Sequence, residues 1–97
     1  MQADVTNTKT TVNGVTLSES HYRSGLAEIG AYLEPVLPGA ARILVAVASR
    51  QPGPGCKWCL YTTATSASFT RHTSKAKTRA ALQAYGESRE AELKRFR

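Results

Sequence analysis

The sequence has few of the features that mark secreted or membrane-spanning proteins. It contains two cysteines among 97 residues, too few for the disulfide framework of a small secreted domain. Its longest unbroken apolar run, Ile43 to Ala48, is far shorter than the roughly 20 residues that a transmembrane helix needs. The first residues show no basic segment followed by an apolar one, so no secretory signal is recognisable. We therefore expect a cytoplasmic protein that does not associate with membranes.

Aromatic residues are also scarce, at 7% of the chain, which limits the size of the hydrophobic core. A chain of this length buries roughly 60 to 65% of the surface of its unfolded state. That is enough for one core but not for two domains. We therefore expect residues 1–97 to form a single small basic domain.

Acidic residues are absent from the whole interval between Glu34 and Glu87. Residues 1–48 carry three basic and four acidic side chains, whereas residues 49–97 carry ten and three. The formal net charge of +6 is therefore the sum of −1 over residues 1–48 and +7 over residues 49–97. A long basic stretch without counter-charge favours an anionic partner, such as nucleic acid or an acidic protein surface.

Catalytic and nucleotide-binding motifs are missing from the sequence. There is no Gly-x-Ser-x-Gly nucleophile elbow, and neither glycine-rich phosphate-binding motif occurs. His21 and His72 are the two candidates for a catalytic base near neutral pH, and both are more often structural or polar loop residues. Apart from Asp4, the carboxylates all fall on predicted helices, where a solvated surface role is the usual one. We therefore expect a non-enzymatic protein without a cofactor.

The first half of the chain predicts a hairpin followed by a helix. β-Branched residues flank Asn13 and Gly14, a pair that tolerates two positive φ angles, so a two-residue hairpin is expected over residues 8–17. Ser18 is suited to cap a helix. Apolar residues then follow at helical spacing: Tyr22, Leu26, Ile29 and Leu33. This pattern predicts a helix over residues 19–34, ending near Pro35.

The second half predicts two strands and a final helix. Residues 42–49 form a short apolar run typical of a buried strand. A loop over residues 51–55 precedes a second stretch of β-type composition at 57–65. Thr73 or Ser74 is expected to cap a helix over residues 75–96, with these side chains facing inward: Leu82, Tyr85, Leu93 and Phe96.

These elements predict an α+β two-layer sandwich: a four-stranded antiparallel sheet with two helices on one face, in the order β-β-α-β-β-α. The other face of the sheet would then be uncovered. Because the strand at 42–49 is apolar on both sides, we expect that face to present a patch suited to a homodimer or a protein partner. The expected interface residues are Leu44, Ala46 and Tyr61.

The pair Cys56 and Cys59 forms the one C-x-x-C motif. Together with His72 it matches part of the spacing of a two-Cys two-His zinc finger, but residues 76–78 supply no fourth ligand. A redox site would need a helix start, and the β-type residues that follow the motif favour a strand. A zinc deaminase would need an upstream His-x-Glu, which His21 does not provide. We therefore prefer the interpretation that the two thiols lie in a strand and bind no metal. A zinc-stabilised domain using Cys56, Cys59 and His72 stays open as an alternative.

Basic residues near the start of the final helix are the leading candidates for function. Backbone N–H groups, hydroxyls and basic side chains at a helix start together form an anion site. Basic residues in a first turn oppose the helix dipole, which suggests that a demand other than helix stability placed them there. The candidate binding residues are Arg50, Lys57, Arg71, His72, Lys75, Lys77 and Arg79.

Two functions follow as hypotheses. The leading one is a small binding protein that docks on a nucleic-acid backbone or a nucleoprotein complex. The alternative is a protein-protein interaction module that acts as a small accessory or inhibitor protein of phage or mobile-element type, for example an anti-CRISPR, on an acidic partner.

Overall fold

The computed structural model describes residues 5–35, 37–62, 69–72 and 74–95, with the backbone alone for residues 69–72. These residues form six strands and one helix: β1 (Val5–Val12), β2 (Val15–Tyr22), β3 (Ala27–Leu33), β4 (Ile43–Arg50), β5 (Trp58–Thr62), β6 (Phe69–His72) and α1 (Lys75–Lys94). Each strand pairs antiparallel with its neighbour along the chain, so the sheet is a meander in the order β1-β2-β3-β4-β5-β6. No helix in this part of the chain is long and apolar enough to cross a membrane.

The predicted hairpin is confirmed and joins β1 to β2. Val12 pairs with Val15 across a two-residue turn. Asn13 and Gly14 have φ values of 52° and 79°, as required by the turn that matches the twist of adjacent strands. Local sequence chemistry therefore sets the register of the first two strands.

The predicted helix over residues 19–34 is wrong, because this segment forms the end of β2 and all of β3. The turn between the two strands contains Gly25 at a φ of 97°. Alternate residues of β3 are buried on one face of the sheet: Ala27, Ile29, Ala31 and Leu33. The same residues carry both a helical and an alternating pattern, and pairing with β2 and β4 on both sides selects the strand. The α+β class with an antiparallel sheet is confirmed, whereas the count of four strands and two helices is corrected to six and one.

The strands and the helix predicted for the second half of the chain agree more closely with the structure than those predicted for the first half. β4 occupies residues 43–50 and β5 residues 58–62; residues 63–65 lie outside the described part. α1 begins where expected, and the Ser74 side chain caps it by accepting a hydrogen bond from the Lys77 backbone N–H. Of the residues predicted to face inward, Leu82 is buried and Tyr85 and Leu93 pack against the core, while Phe96 lies outside the described residues.

The core lies between α1 and one face of the sheet. Its apolar members come from β2 to β5 and from the helix: Val15, Leu17, Ala27, Ile29, Ala31, Leu33, Val45, Ala46, Ala48, Trp58, Leu60 and Leu82. At Gly86 the helix lies close to β2, since a Cβ there would lie 2.6 Å from Cγ1 of Val15. Small side chains on β3 and β4 likewise allow the helix to lie close to the sheet.

The opposite face of the sheet has no helix over it in the described part of the chain, and it combines polar residues with the exposed Leu44 and Tyr61. Its residues alternate with the core positions. Many of them carry hydroxyls: Thr11, Thr16, Ser18, Ser20, Tyr22, Tyr32, Ser49 and Tyr61. Leu44 and Val47 add apolar surface beside Tyr32 and Tyr61. Asn7 Nδ2 donates to the hydroxyls of Ser18 and Ser20 at 3.0 and 2.9 Å. We call this surface the open face. Ser20, Tyr22 and Tyr32 fall in the segment predicted as a helix, whereas Thr11 and Thr16 fall in the predicted hairpin.

Candidate functional site

The sheet topology gathers most of the predicted basic residues at one end of the molecule. There β2, β4 and β6 end, and β3, β5 and α1 begin: His21 pairs with Ala27, Ala27 pairs with Arg50, and Trp58 pairs with His72. Six basic residues lie at this end, which we call the cationic end: Arg23, Arg50, Lys57, Lys75, Lys77 and Arg79. Within the described residues two carboxylates accompany them, those of Glu19 and Glu28.

Among the exposed cations of this end are Arg50, Lys57 and Lys77. The guanidinium carbon of Arg50 lies 5.6 Å from the ring centroid of Trp58, an arrangement that orients the cation through attraction to the aromatic ring. Lys57 and Lys77 are exposed, and neither has an acidic partner within the part of the chain that the structure describes. Their charges are therefore available to an anionic partner.

Two other cations are partly neutralised by Glu19, a contact that the sequence did not reveal. Oε1 of Glu19 accepts a hydrogen bond from Arg79 Nη1 at 2.8 Å, and its Oε2 accepts one from Lys75 Nζ at 3.1 Å. His21 Nε2 also contacts Oε2. Glu19 is 8% exposed, because its position on β2 points it toward the start of α1. Burial raises the pKa of Glu19, but the bonds to His21 and Lys75 lower it more, so the pKa lies below its usual value.

Glu19 also accounts for the basic first turn of α1. That turn contains no acidic residue, although a negative charge near a helix N-terminus is stabilising. Glu19 supplies that charge from β2 and at the same time offsets Lys75 and Arg79. The unfavourable interaction expected between these basic residues and the helix dipole is therefore reduced by a residue from the sheet.

The opposite end of the molecule is electrically balanced by comparison. Within the described residues it carries four carboxylates and four cations: Glu34, Glu87, Glu90, Glu92, Arg42, Arg89, Lys94 and Arg95. Arg42 Nε lies 3.4 Å from Glu34 Oε1, and Arg89 Nη1 lies 2.6 Å from Glu92 Oε2. Positive potential is thus concentrated at the cationic end rather than spread evenly over the molecule.

Arg71 and His72 of the predicted set lie on β6, and the structure describes their backbone alone. The register places Arg71 opposite Cys59 and His72 opposite Trp58, close to the cationic end. Of the predicted interface residues, Leu44 and Tyr61 are exposed, at 39% and 47%. Ala46 is fully buried, because it faces α1, so it is not available to a partner at the surface.

The two cysteines are half-buried free thiols. Cys56 lies in the loop before β5, where its Sγ donates to the Pro52 carbonyl at 3.6 Å, and Cys59 lies within β5. No group of three or more metal-ligating side chains occurs among the described residues. The His72 side chain, the third member of the possible zinc site, lies outside them.

The open face contains a shallow depression of about 380 Å³ that the sequence did not indicate. It is lined by two cations, two hydroxyls and one aromatic ring: Lys9, Arg42, Thr16, Ser18 and Tyr32. The residues that form it come from β1, β2, β3 and the segment before β4. Tyr32 is the one lining residue that falls in the segment predicted as a helix, so the depression depends on the pairing of β3 with β2.

Comparison with known proteins finds no relative: no protein-family model, no curated protein and no solved structure matches the chain. Support for a function therefore comes from the charges and contacts described above.

Proposed function

We propose that this is a non-enzymatic binding protein that docks its cationic end on a nucleic-acid backbone or a nucleoprotein complex. The observation that carries the proposal is the charge asymmetry of the described residues. The cationic end has six cations and two carboxylates, whereas the opposite end has four cations and four carboxylates. A surface of this kind attracts polyanions and accelerates their association. The free thiols of Cys56 and Cys59 are compatible with the reducing cytoplasm, where we propose that binding takes place.

The contacts are proposed to be with phosphates rather than bases. Arg50, Lys57 and Lys77 are exposed and come from three separate segments, so they present charge over a surface rather than along one helix stripe. Lysine and arginine bound to phosphates fix position and orientation without reading sequence. We therefore expect binding with little sequence preference.

The salt dependence of binding tests this proposal. Three available cations predict that log K falls with log salt at a slope of about −3 on duplex DNA, since each neutralised phosphate contributes about −0.9. Replacing both Lys57 and Lys77 by glutamine should reduce the slope to about −1. The matched control replaces Lys94 and Arg95 by glutamine, which removes the same charge at the other end and should leave the slope near that of the unmodified protein.

Fluorescence anisotropy with duplex DNA, single-stranded DNA and RNA, measured in a salt series, provides the slopes. If both double variants change the slope equally, net charge rather than the cationic end governs binding. An affinity that does not depend on salt for any of the three nucleic acids would contradict the proposal.

A protein-protein interaction module remains the second candidate, supported by the exposure of Leu44 and Tyr61. Such a module would act as a small accessory or inhibitor protein on an acidic partner, with the cationic end steering the approach. Leu44→Arg or Tyr61→Arg should then abolish binding, whereas Lys75→Glu should mainly slow association. A pull-down from the native host identifies the partner, and surface plasmon resonance separates the two rates. Loss of equilibrium binding with Lys75→Glu alone would exclude this candidate.

A further inference from the structure

Within the described residues, β1 is an outer strand of the sheet and pairs with β2 alone. All eight of its residues are exposed, and it pairs with β2 in an unbroken register. It lacks proline and β-bulges and carries one charge, at Lys9. Natural sheets usually protect their edges with proline, β-bulges or several charged side chains, because unpaired N–H and C=O groups are a template for another strand.

The hairpin turn determines which backbone groups of β1 face outward. A two-residue turn is closed by a hydrogen-bonded pair, here Val12 with Val15, and hydrogen-bonded pairs alternate with non-hydrogen-bonded pairs along the ladder. Thr11 and Thr16 therefore form a non-hydrogen-bonded pair, which brings side chains closer, and their hydroxyl oxygens lie 2.9 Å apart. The outward N–H and C=O groups consequently belong to Val5, Asn7, Lys9 and Thr11.

We propose that this edge pairs with β1 of a second copy of the chain, antiparallel and centred on Thr8. In this register the outward groups of Asn7 meet those of Lys9 of the other copy, and those of Val5 meet Thr11, which forms about eight backbone hydrogen bonds. Centring on Asn7 or on Lys9 forms about six. The Lys9 register also places two like charges directly opposite each other, which is destabilising.

The side chains support the same register. On the helix side of the sheet Thr8 opposes itself and Thr6 opposes Thr10, and threonine pairs across strands are favourable. On the open face Asn7 opposes Lys9, so an amide oxygen meets a cation. The dimer is isologous and joins the two sheets into one. It does not depend on the proposed nucleic-acid binding, since none of these residues belongs to the cationic end.

A proline substitution tests the edge without breaking the hairpin. Lys9→Pro removes an N–H that faces outward, and proline is tolerated on an edge strand at such a position. Lys9→Ala is the matched control, because it removes the charge but keeps the N–H. Sedimentation velocity over about 1 to 300 µM protein should show a reversible dimer for the unmodified chain and for Lys9→Ala, and a monomer for Lys9→Pro, consistent with the concentration dependence of self-association.

A second variant keeps the experiment decisive if Lys9→Pro does not fold. Asn7→Lys places a cation opposite Lys9 of the other copy and should weaken the dimer at least tenfold, whereas Asn7→Asp should strengthen it by forming two ion pairs. Equal dissociation constants for these two variants would overturn the proposed register.

Cross-linking locates the centre of the interface directly. In a background with Cys56 and Cys59 replaced by serine, Thr8→Cys should form an intermolecular disulfide, because a non-hydrogen-bonded pair brings two Cβ atoms within reach. Asn7→Cys and Lys9→Cys should not, since neither residue opposes itself. Preferential cross-linking at either of those positions would overturn the register. A chain that stays monomeric at every concentration, or a dimer that persists in folded Lys9→Pro, would overturn the edge interface itself.

Discussion

Replacing Glu19 by glutamine is expected to destabilise the protein and yet strengthen its binding to polyanions. Glu19 is buried beneath the start of α1 and accepts hydrogen bonds from Lys75 and Arg79. The amide of glutamine has nearly the same shape but no charge. The substitution therefore removes the attraction that holds the two cations while leaving the packing largely unchanged.

The loss of stability can be estimated from these contacts. Hydrogen bonds to charged groups contribute about 1.5 to 3 kcal/mol when buried, but exposed ion pairs contribute about 1 kcal/mol or less. The Lys75 and Arg79 side chains are 51% and 30% exposed, so both values are reduced by solvent. We expect a decrease of about 2 kcal/mol in the free energy of unfolding. The hydrogen bond to Arg79 supplies most of it, because Arg79 is the less exposed of the two, and the hydrogen bond to Lys75 supplies little.

The same substitution is expected to strengthen the binding of polyanions. With Glu19 neutral, Lys75 and Arg79 join Arg50, Lys57 and Lys77 as cations available to phosphates. Five contacts predict a salt slope of about −4.5 on duplex DNA, compared with about −3 for three. Glu92→Gln is the matched control, since it removes one charge from an ion pair with Arg89 at the far end.

Chemical denaturation provides the stability of each variant, and fluorescence anisotropy in a salt series provides the slope. A Glu19→Gln protein that is less stable but has an unchanged slope would show that Lys75 and Arg79 do not contact the polyanion. If Glu92→Gln steepens the slope as much as Glu19→Gln does, overall charge accounts for the effect.

Four further predictions concern pH, packing, capping and metal. The pKa of Glu19 lies below its ordinary value of 4.5, so its stabilising contribution is present above that pH and is lost as the pH falls through the lower folded-state pKa. Thermal melts between about pH 3 and 7 should show this loss of stability. The Glu19→Gln protein should lack this part of the pH dependence. Gly86→Ala should destabilise the fold by about 1 kcal/mol or more, despite the better helix propensity of alanine, since its Cβ would lie 2.6 Å from Val15 Cγ1; Val15→Ala in the same chain should recover part of the loss in a double-mutant cycle, and simple additivity would contradict the contact. Ser74→Ala should cost about 1 kcal/mol by removing the N-cap, measured by urea denaturation, whereas Ser74→Asp should not. Elemental analysis should find less than about a tenth of an equivalent of zinc, with no change in Tm on chelation; stoichiometric zinc and a lower Tm would instead establish the zinc-stabilised alternative.

The sequence predicted those elements whose signals are local and unopposed. Asn13 and Gly14 fit one turn type, and Ser74 precedes a segment with no competing strand pattern. In contrast, residues 19–34 carry a helical spacing through Tyr22 and Leu26 and an alternating one through β3. The two patterns share Ile29 and Leu33, so apolar spacing alone does not decide between them.

The candidate site was predicted in part for the same reason. Lys75, Lys77 and Arg79 follow one another along a helix, so their proximity is a local property. The contact of Glu19 with α1 joins residues 56 positions apart. The sequence offered Glu19, Glu28 and Glu34 as carboxylates that could neutralise these cations, but the helix predicted over residues 19–34 gave no reason to select Glu19.

The sequence alone determined the hairpin, the final helix, the net positive charge and the absence of acidic residues through the middle of the chain. Tertiary structure decided the identity of β3, the polar composition of the open face and the pairing of Glu19 with two cations. The physical reason is that turns, caps and charge counts depend on neighbouring residues, whereas a strand is stabilised by partners distant in the chain, and its pairing decides which side chains meet.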